Sequence, residues 1–243
     1  MNELLNKSLA QIVTGNHKTA SVFEKYHLDF CCKGKRTLQQ ACAETNLDSG
    51  TLLAELDAAN NTKPEAHQAG NMTLQELAAY ITETHHSYVK KEMPLIFGYL
   101  QKVTAKHGER HPELFKIFEL FAAVKEEMEL HMQKEEKILF PRITEIERLS
   151  RENAAIPVST TFLSGPVSMM EQEHDHAGNM LAEIRELSRN YTPPADACTT
   201  YKLSFAALQA FELDLHQHVH MENNILFPKA LQLFGTFGNY SSN

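Results

Sequence analysis

From Thr73 onward, apolar residues recur at alternating spacings of three and four in four successive stretches, as they do in helices that bury one face. The first reads Ala79, Thr82, His86, Val89, Met93, Ile96, Leu100. The second reads Leu114, Ile117, Phe121, Val124, Met128, His131, Glu135, Ile138. The third reads Val167, Met170, His174, Ala177, Leu181, Ile184, and the fourth Leu208, Phe211, Leu215, His218, Glu222, Ile225. Thr73 and Glu76 form a capping box at the first start, and that helix runs to about His107. Gly108–Pro112 breaks it, and the second helix follows from about Glu113. Residues 149–166, with their Ser, Pro and Gly, read as a loop. The third helix ends near Asn190, the segment from Tyr191 (YTPPADA) is another break, and the fourth helix reaches about Pro228. No β-type alternation stands out. The pattern predicts an all-α fold, an antiparallel four-helix bundle over residues 72–232 followed by a tail at 233–243.

Residues 1–58 read as a separate small helical domain, with helices at Lys18–Tyr26, Thr37–Glu44 and Asp48–Ala58. Thr37 and Asp48 are suitable N-caps. A polar turn, LDFCCKGKRT, carries the adjacent Cys31 and Cys32. Residues 59–71, rich in Asn, Gly and Pro, read as a linker.

The bundle contains an internal repeat. His131, Glu135, Ile138, Leu139, Phe140, Pro141 and Arg142 correspond to His218, Glu222, Ile225, Leu226, Phe227, Pro228 and Lys229, an H-x3-E-x2-I-L-F-P-[RK] pattern offset by 87 residues. His86 precedes the first copy and His174 the second at nearly equal distances.

Residues four apart share a helix face, so each repeated His lies one turn from its Glu, and both fall on the apolar seam. Any one such histidine reads as a hydrogen-bonded core residue. Together, four inward histidines and two inward glutamates pose a charge problem. Desolvating an unpaired carboxylate costs several kcal/mol, on the order of the penalty for any buried ion, and no Lys or Arg lies on these stretches of seam. A metal pair satisfies all six groups. Imidazole with carboxylate and no thiolate suits iron, manganese or zinc. Six ligands with two carboxylates able to bridge suggest two metals, each taking two histidines and one oxygen from each glutamate. Positions remain for water, an oxo or hydroxo bridge, or a small molecule.

A rival set, Glu83-x-x-His86 and Glu171-x-x-His174 with Glu135 and Glu222, follows the E-x-x-H pattern of ferritin-like bundles. It leaves His131 and His218 unused, and the four-His, two-Glu set is preferred for that reason. His85 competes with His86, because it continues a different stripe through Leu74, Leu77, Ile81 and Tyr88. Glu127 and Glu173 lie where either could accept a hydrogen bond from a ligand imidazole or stand as a solvated surface charge.

Composition narrows the class. A formal net charge of −8 argues against general binding to nucleic acid or to an anionic membrane surface. No apolar run approaches a membrane span, and none near the N-terminus suits a secretory signal. Four cysteines in 243 residues do not make a disulfide scaffold, and a reducing cytoplasm is the expected compartment. Cys31 and Cys32, beside Lys33, Lys35 and Arg36, read equally as a reactive or metal-contacting thiol pair with lowered pKa and as two small half-buried residues. Cys42 and Cys198 read as structural fillers within helices.

The LDFCCKGKRTL segment, the two H-x3-E-x2-ILFP repeats and the EHD at Glu173–Asp175 together resemble the Repair of Iron Centers family of di-iron proteins that repair iron–sulfur clusters. The resemblance runs from about residue 5 to 230, an ScdA-like N-terminal domain followed by a hemerythrin-like bundle. It implies two non-heme iron ions, ahead of manganese or zinc, with an oxo or hydroxo bridge. Their ligands would be His86, His131, Glu135, His174, His218 and Glu222. It implies a cytoplasmic stress-response factor for clusters damaged by oxidative or nitrosative stress, donating iron rather than acting as an ordinary enzyme. Cys31 and Cys32 would serve as redox or iron-transfer thiols. Expected partners are damaged iron–sulfur proteins, a second copy in a homodimer, and the small ligands NO and O2. The alternatives are an O2 or NO binder or sensor, and a reductase of NO or peroxide at the metal pair.

Overall fold

The structure, a computed structural model, describes residues 2–60, 69–152, 154 and 161–238. Among these, helices account for all named elements, and the one bridge between extended residues pairs Ser8 with Thr37. The chain divides into two compact units. One comprises Met1–Ala78, Ile143–Val158 and His216–Asn243, and the other Ala79–Arg142 and Ser159–Leu215.

The first unit opens with α1 (Asn2–Leu5), α2 (Leu9–Gly15), α3 (Ala20–Lys25), α4 (Leu38–Thr45) and α5 (Ser49–Asn60). Ser8 and Thr37 each begin a helix with a complete capping box, closed by Gln11 and Gln40. These helices bury Leu9, Ile12, Phe23, Phe30, Leu38, Leu52 and Leu56 in one core. The linker expected at 59–71 lies partly outside the described residues. Its last part, Ala69–Asn71, is a single 3-10 turn leading to α6 (Leu74–Tyr80). At that start Thr73 and Glu76 form the expected reciprocal pair, and both oxygens of Glu147 accept from the Leu74 and Gln75 amides at 3.0 Å. A carboxylate there also meets the positive end of the helix dipole.

The second unit holds four helices side by side: α7 (Ser87–His107), α8 (Glu113–Lys134), α10 (Thr161–Leu187) and most of α11 (Thr199–Met221). α8 packs on α7 and on α10. Phe121 meets Phe211 edge to face at 5.6 Å, joining α8 to α11, and Arg185 of α10 reaches Glu212 of α11 at 3.1 Å. α9 (Phe140–Arg151) follows α8, and α12 (Phe227–Gly238) follows α11.

The segment 149–166 departs from its expected loop. α9 extends to Arg151 and α10 begins at Thr161, with Pro166 inside it. Proline in the second turn of a helix deprives the carbonyl four residues earlier of its donor. That carbonyl belongs to Phe162, and Arg142 donates to it at 3.0 Å while stacking over the Phe162 ring.

A second departure has more bearing on the site. The helices carry three π-helical turns, at Ile81–His86, Glu135–Leu139 and Glu222–Leu226. A π turn inserts one extra residue and shifts the buried face by one position. Ile138, expected on the seam, is 46% exposed, whereas Leu139 is 2% exposed. In the first helix the two competing stripes are both used. Leu74, Leu77, Ile81 and His85 are buried up to the turn, and His86, Val89, Met93, Ile96 and Leu100 are buried beyond it, while Ala79 is exposed.

Candidate metal centre

Glu135 begins one π turn and Glu222 begins another, at matching places in the two repeats. His86 ends the third. All six residues of the expected ligand set are buried, each at 1% exposure or less.

Within the four-helix unit, Glu135 lies between two imidazoles. Its Oε2 is 3.3 Å from His86 Nε2 and its Oε1 is 3.2 Å from His131 Nε2. His174 Nε2 is 2.9 Å from His131 Nε2, so His131, Glu135 and His174 bring three ligand atoms together within 4.8 Å. Within the other unit, His218 Nε2 is 3.1 Å from Glu222 Oε1.

The outer ring nitrogens settle which proton is where. His86 Nδ1 is 2.7 Å from Glu136 Oε1, and His131 Nδ1 is 2.8 Å from Glu173 Oε2. An ionised carboxylate only accepts, so each Nδ1 carries a proton, and in the neutral ring each Nε2 then presents a lone pair inward. The hydrogen bond from His131 is the chief reason that Glu173 is lowered to about 2; partial burial opposes it and Lys134 assists. Burial would raise Glu136, but hydrogen bonds from Lys90 and His86 outweigh it and keep that carboxyl lowered. With Nε2 lone pairs facing Glu135 oxygens at little over 3 Å, acceptor confronts acceptor on both sides. A bound cation would turn that repulsion into coordination by His86, His131 and Glu135, and the donor set, imidazole and carboxylate without thiolate, fits a metal of the iron, manganese or zinc kind.

The alternatives separate in space. His85 is buried but turns its Nδ1 to Asp214 at 2.9 Å and its ring edge to Tyr80. Glu83 is exposed and Glu171 half-buried. Glu127 pairs with His176 at the surface, at 2.8 Å, rather than with a buried imidazole. Glu136 was not singled out by the sequence pattern. Its only signal is its place directly after Glu135, one helical step from the seam.

Cys31 and Cys32 form a tight turn around Asp29. Asp29 Oδ1 accepts from the Cys31 amide at 3.0 Å, the Cys32 amide at 2.9 Å and the Cys31 thiol at 3.2 Å. The three side chains bring their donor atoms within 4.8 Å. Of the two equal readings of this pair, the surroundings of Cys31 do not favour the one with a lowered pKa. The hydrogen bond with Cys32, burial, and the neighbouring Asp29 push the Cys31 thiol well above its ordinary value. The basic neighbours do not prevent this, since Lys33 and Lys35 are exposed and Arg36 pairs with Glu44. Gly34 is required in this turn, because a Cβ would lie 2.1 Å from the Phe30 carbonyl oxygen.

The cysteine turn is fastened to the segment that carries His218 and Glu222. Asn224 Nδ2 donates to the Cys31 carbonyl at 2.9 Å, the Phe30 ring packs edge-on against His220 at 5.5 Å, and His216 pairs with Glu24 at 2.7 Å. Burial lowers His220 to about 4, so it packs as a neutral ring. These flanking histidines, unremarkable in sequence, are the docking face for the N-terminal helices.

Comparison with known proteins agrees with both parts of the chain. The family model described as "Hemerythrin HHE cation binding domain" matches residues 77–230, and that described as "ScdA_N: Domain of Unknown function" matches residues 5–60. The chain is thus a cation-binding hemerythrin-domain protein with an ScdA-type N-terminal domain. It is 35% identical over 229 residues to an iron–sulfur cluster repair protein YtfE of Musicola paradisiaca, covering 93% of this chain and 96% of that one. It is 34% identical over 227 residues to the proteins of the same name from Yersinia pestis (strain Pestoides F) and Yersinia pseudotuberculosis serotype O:1b, covering 93% of this chain and 97% of each. The chain belongs to the hemerythrin-domain iron–sulfur cluster repair family. No described helix is long and apolar enough to cross a membrane.

Proposed function

We propose that the protein repairs iron–sulfur clusters damaged by oxidative or nitrosative stress. In this reading His86, His131, Glu135, His174, His218 and Glu222 hold two iron ions, which are cargo for the damaged cluster. The observation that carries the metal site is Glu135, whose two oxygens face two different inward imidazole nitrogens. The repeat supports extending the set to His218 and Glu222, where the same motif, burial and π turn recur.

The chain's own residues supply a hold that can be loosened. Glu136 and Glu173 fix the Nδ1 protons of His86 and His131 and orient the rings. When bound, iron supplies Lewis acidity and a store of metal for a depleted cluster. In this reading Cys31 and Cys32 act as transfer thiols. Their turn is bonded to Asn224, two residues beyond Glu222, and with Asp29 they offer a second, softer donor group. A raised Cys31 pKa keeps the thiol protonated until a metal displaces the proton. A reducing cytoplasm suits the four cysteines, all free in the structure.

The test uses protein loaded with labelled iron and a cluster protein damaged by peroxide. Transfer predicts that label enters the recovered cluster in step with activity. Recovery of activity with unlabelled iron alone would show that this protein is not the donor.

A further inference from the structure

At the far end of the four-helix unit, roughly 30 Å along α7 from His86 at 1.5 Å per residue, lies a second constellation that metal binding does not use. Cys198 immediately precedes α11, a helix of 23 residues, and hydrogen bonding by the first-turn amides, Tyr201 foremost, lowers its pKa against the opposing effect of burial. His107 Nε2 lies 3.3 Å from Cys198 Sγ. Arg110 approaches the other nitrogen, Nδ1, at 3.5 Å.

The guanidinium fixes the tautomer. Arginine can only donate, so His107 Nδ1 must accept and Nε2 must carry the proton. That proton points at the sulfur. The imidazole is therefore a donor that favours the thiolate, and it adds to the helix amides and to Lys106, which act in the same sense. His107 is buried and held edge-on to Tyr201 at 5.5 Å, so the donor is fixed in place. The nearby carboxylate does not cancel the effect, because Asp196 is matched by Arg110 at 3.0 Å and His111 at 2.9 Å. His111 also meets Glu113 at 3.6 Å, and burial raises Tyr201 to about 12, so that ring is neutral. Cys198 itself is half-buried, open to a small reagent.

We propose that Cys198, set against His107 at the N-terminus of α11, is a modification site that reacts with hydrogen peroxide and small hydroperoxides to form a sulfenic acid. The sulfur lone pair attacks one peroxide oxygen, an S–O bond forms and the O–O bond breaks. Sulfur loses two electrons and the peroxide gains them. The departing hydroxide, or the alkoxide of a hydroperoxide, takes a proton from solvent and leaves as water or alcohol. Sequence alone reads Cys198 as a filler within a helix; it stands immediately before α11.

The experiment uses the full chain and follows the Cys198 peptide by mass spectrometry. Iodoacetamide alkylation is measured against pH, with N-acetylcysteine in the same buffers as reference. Each unit of lowered pKa gives a net rate gain of about threefold below the midpoint, because thiolate fraction rises about tenfold while intrinsic nucleophilicity falls about threefold. The Cys198 midpoint is expected below that of N-acetylcysteine, and the exposed-residue variant Arg110→Ala is expected to move it upward by freeing the His107 tautomer. Hydrogen peroxide followed by dimedone should label Cys198 in preference to Cys42. A Cys198 midpoint at or above the reference, or no dimedone adduct at Cys198, overturns the proposal. An unchanged midpoint in Arg110→Ala overturns the tautomer argument on which it rests.

Discussion

His131 divides its two ring nitrogens between two glutamates: Nδ1 meets Glu173 at 2.8 Å, and Nε2 faces Glu135 at 3.2 Å. The outer carboxylate thereby decides what the inner nitrogen can do. Glu173→Gln keeps the shape but removes the charge that holds the Nδ1 proton. Metal affinity is expected to fall about 10- to 100-fold, the usual cost of losing such a partner. Competition with a chelator of known affinity measures it. Equal retention in wild type and variant would mean that Glu173 has no part in holding the ring.

Asn224 ties the cysteine turn to the segment bearing Glu222 by donating to two backbone carbonyls, that of Cys31 at 2.9 Å and that of Phe30 at 3.5 Å. Asn224→Ala should lower stability by about 1 kcal/mol. It should also speed amide hydrogen exchange in the peptide spanning Phe30 to Gly34. Unchanged exchange there would show that other contacts, such as Phe30 against His220, suffice to fix the turn.

Cys31 should be a slow thiol. Its pKa is raised by the Cys32 hydrogen bond, burial and Asp29. A raised thiol pKa means that the reactive thiolate is depleted, and rising pH restores it only beyond the range in which an ordinary thiol, near pH ~8.5, has already ionised. At pH 8 Cys31 is expected to alkylate more slowly than N-acetylcysteine, and Asp29→Asn should speed it. Equal rates at pH 8 in the native protein would contradict the environment described.

Glu212 is buried in the four-helix unit and accepts from Arg185 at 3.1 Å and from the Tyr191 hydroxyl at 3.0 Å. Tyr191 also carries a left-handed backbone, φ 55°, within the 188–198 connection. Tyr191→Phe is expected to cost about 1–2 kcal/mol, since one buried acceptor loses its donor. Thermal or urea unfolding checks it.

Much of this architecture was legible in the chain. The 3–4 spacing found the bundle helices, and His131, His174 and His218 fall on the buried seam where the period placed them. The pattern failed where the helix is not α. A period of 3.6 carried through Glu135 puts Ile138 inside, yet the π turn passes that place to Leu139. The same effect created the uncertainty between His85 and His86: two stripes competed on paper because the helix uses one before the turn and the other after it. Glu173 reads as a possible acceptor because it adjoins His174, yet the ring it holds is His131. Glu136 gives no such sign, since its value depends on the lateral approach of His86 from another helix, which no single-helix pattern encodes. Cys198 was misplaced because YTPPADA hid the start of α11, and a cysteine one residue before a helix differs chemically from one inside it.

The most direct test of the central claim is the iron content per chain of wild type and Glu135→Gln after loading and removal of loose metal, with circular dichroism confirming that both are folded. Glu135 turns one oxygen toward each of two inward nitrogens in the four-helix unit. The account predicts two irons per chain in the wild type and loss of both, or nearly both, in the variant. Two irons retained by Glu135→Gln, or a wild type that holds no more than one, would contradict it.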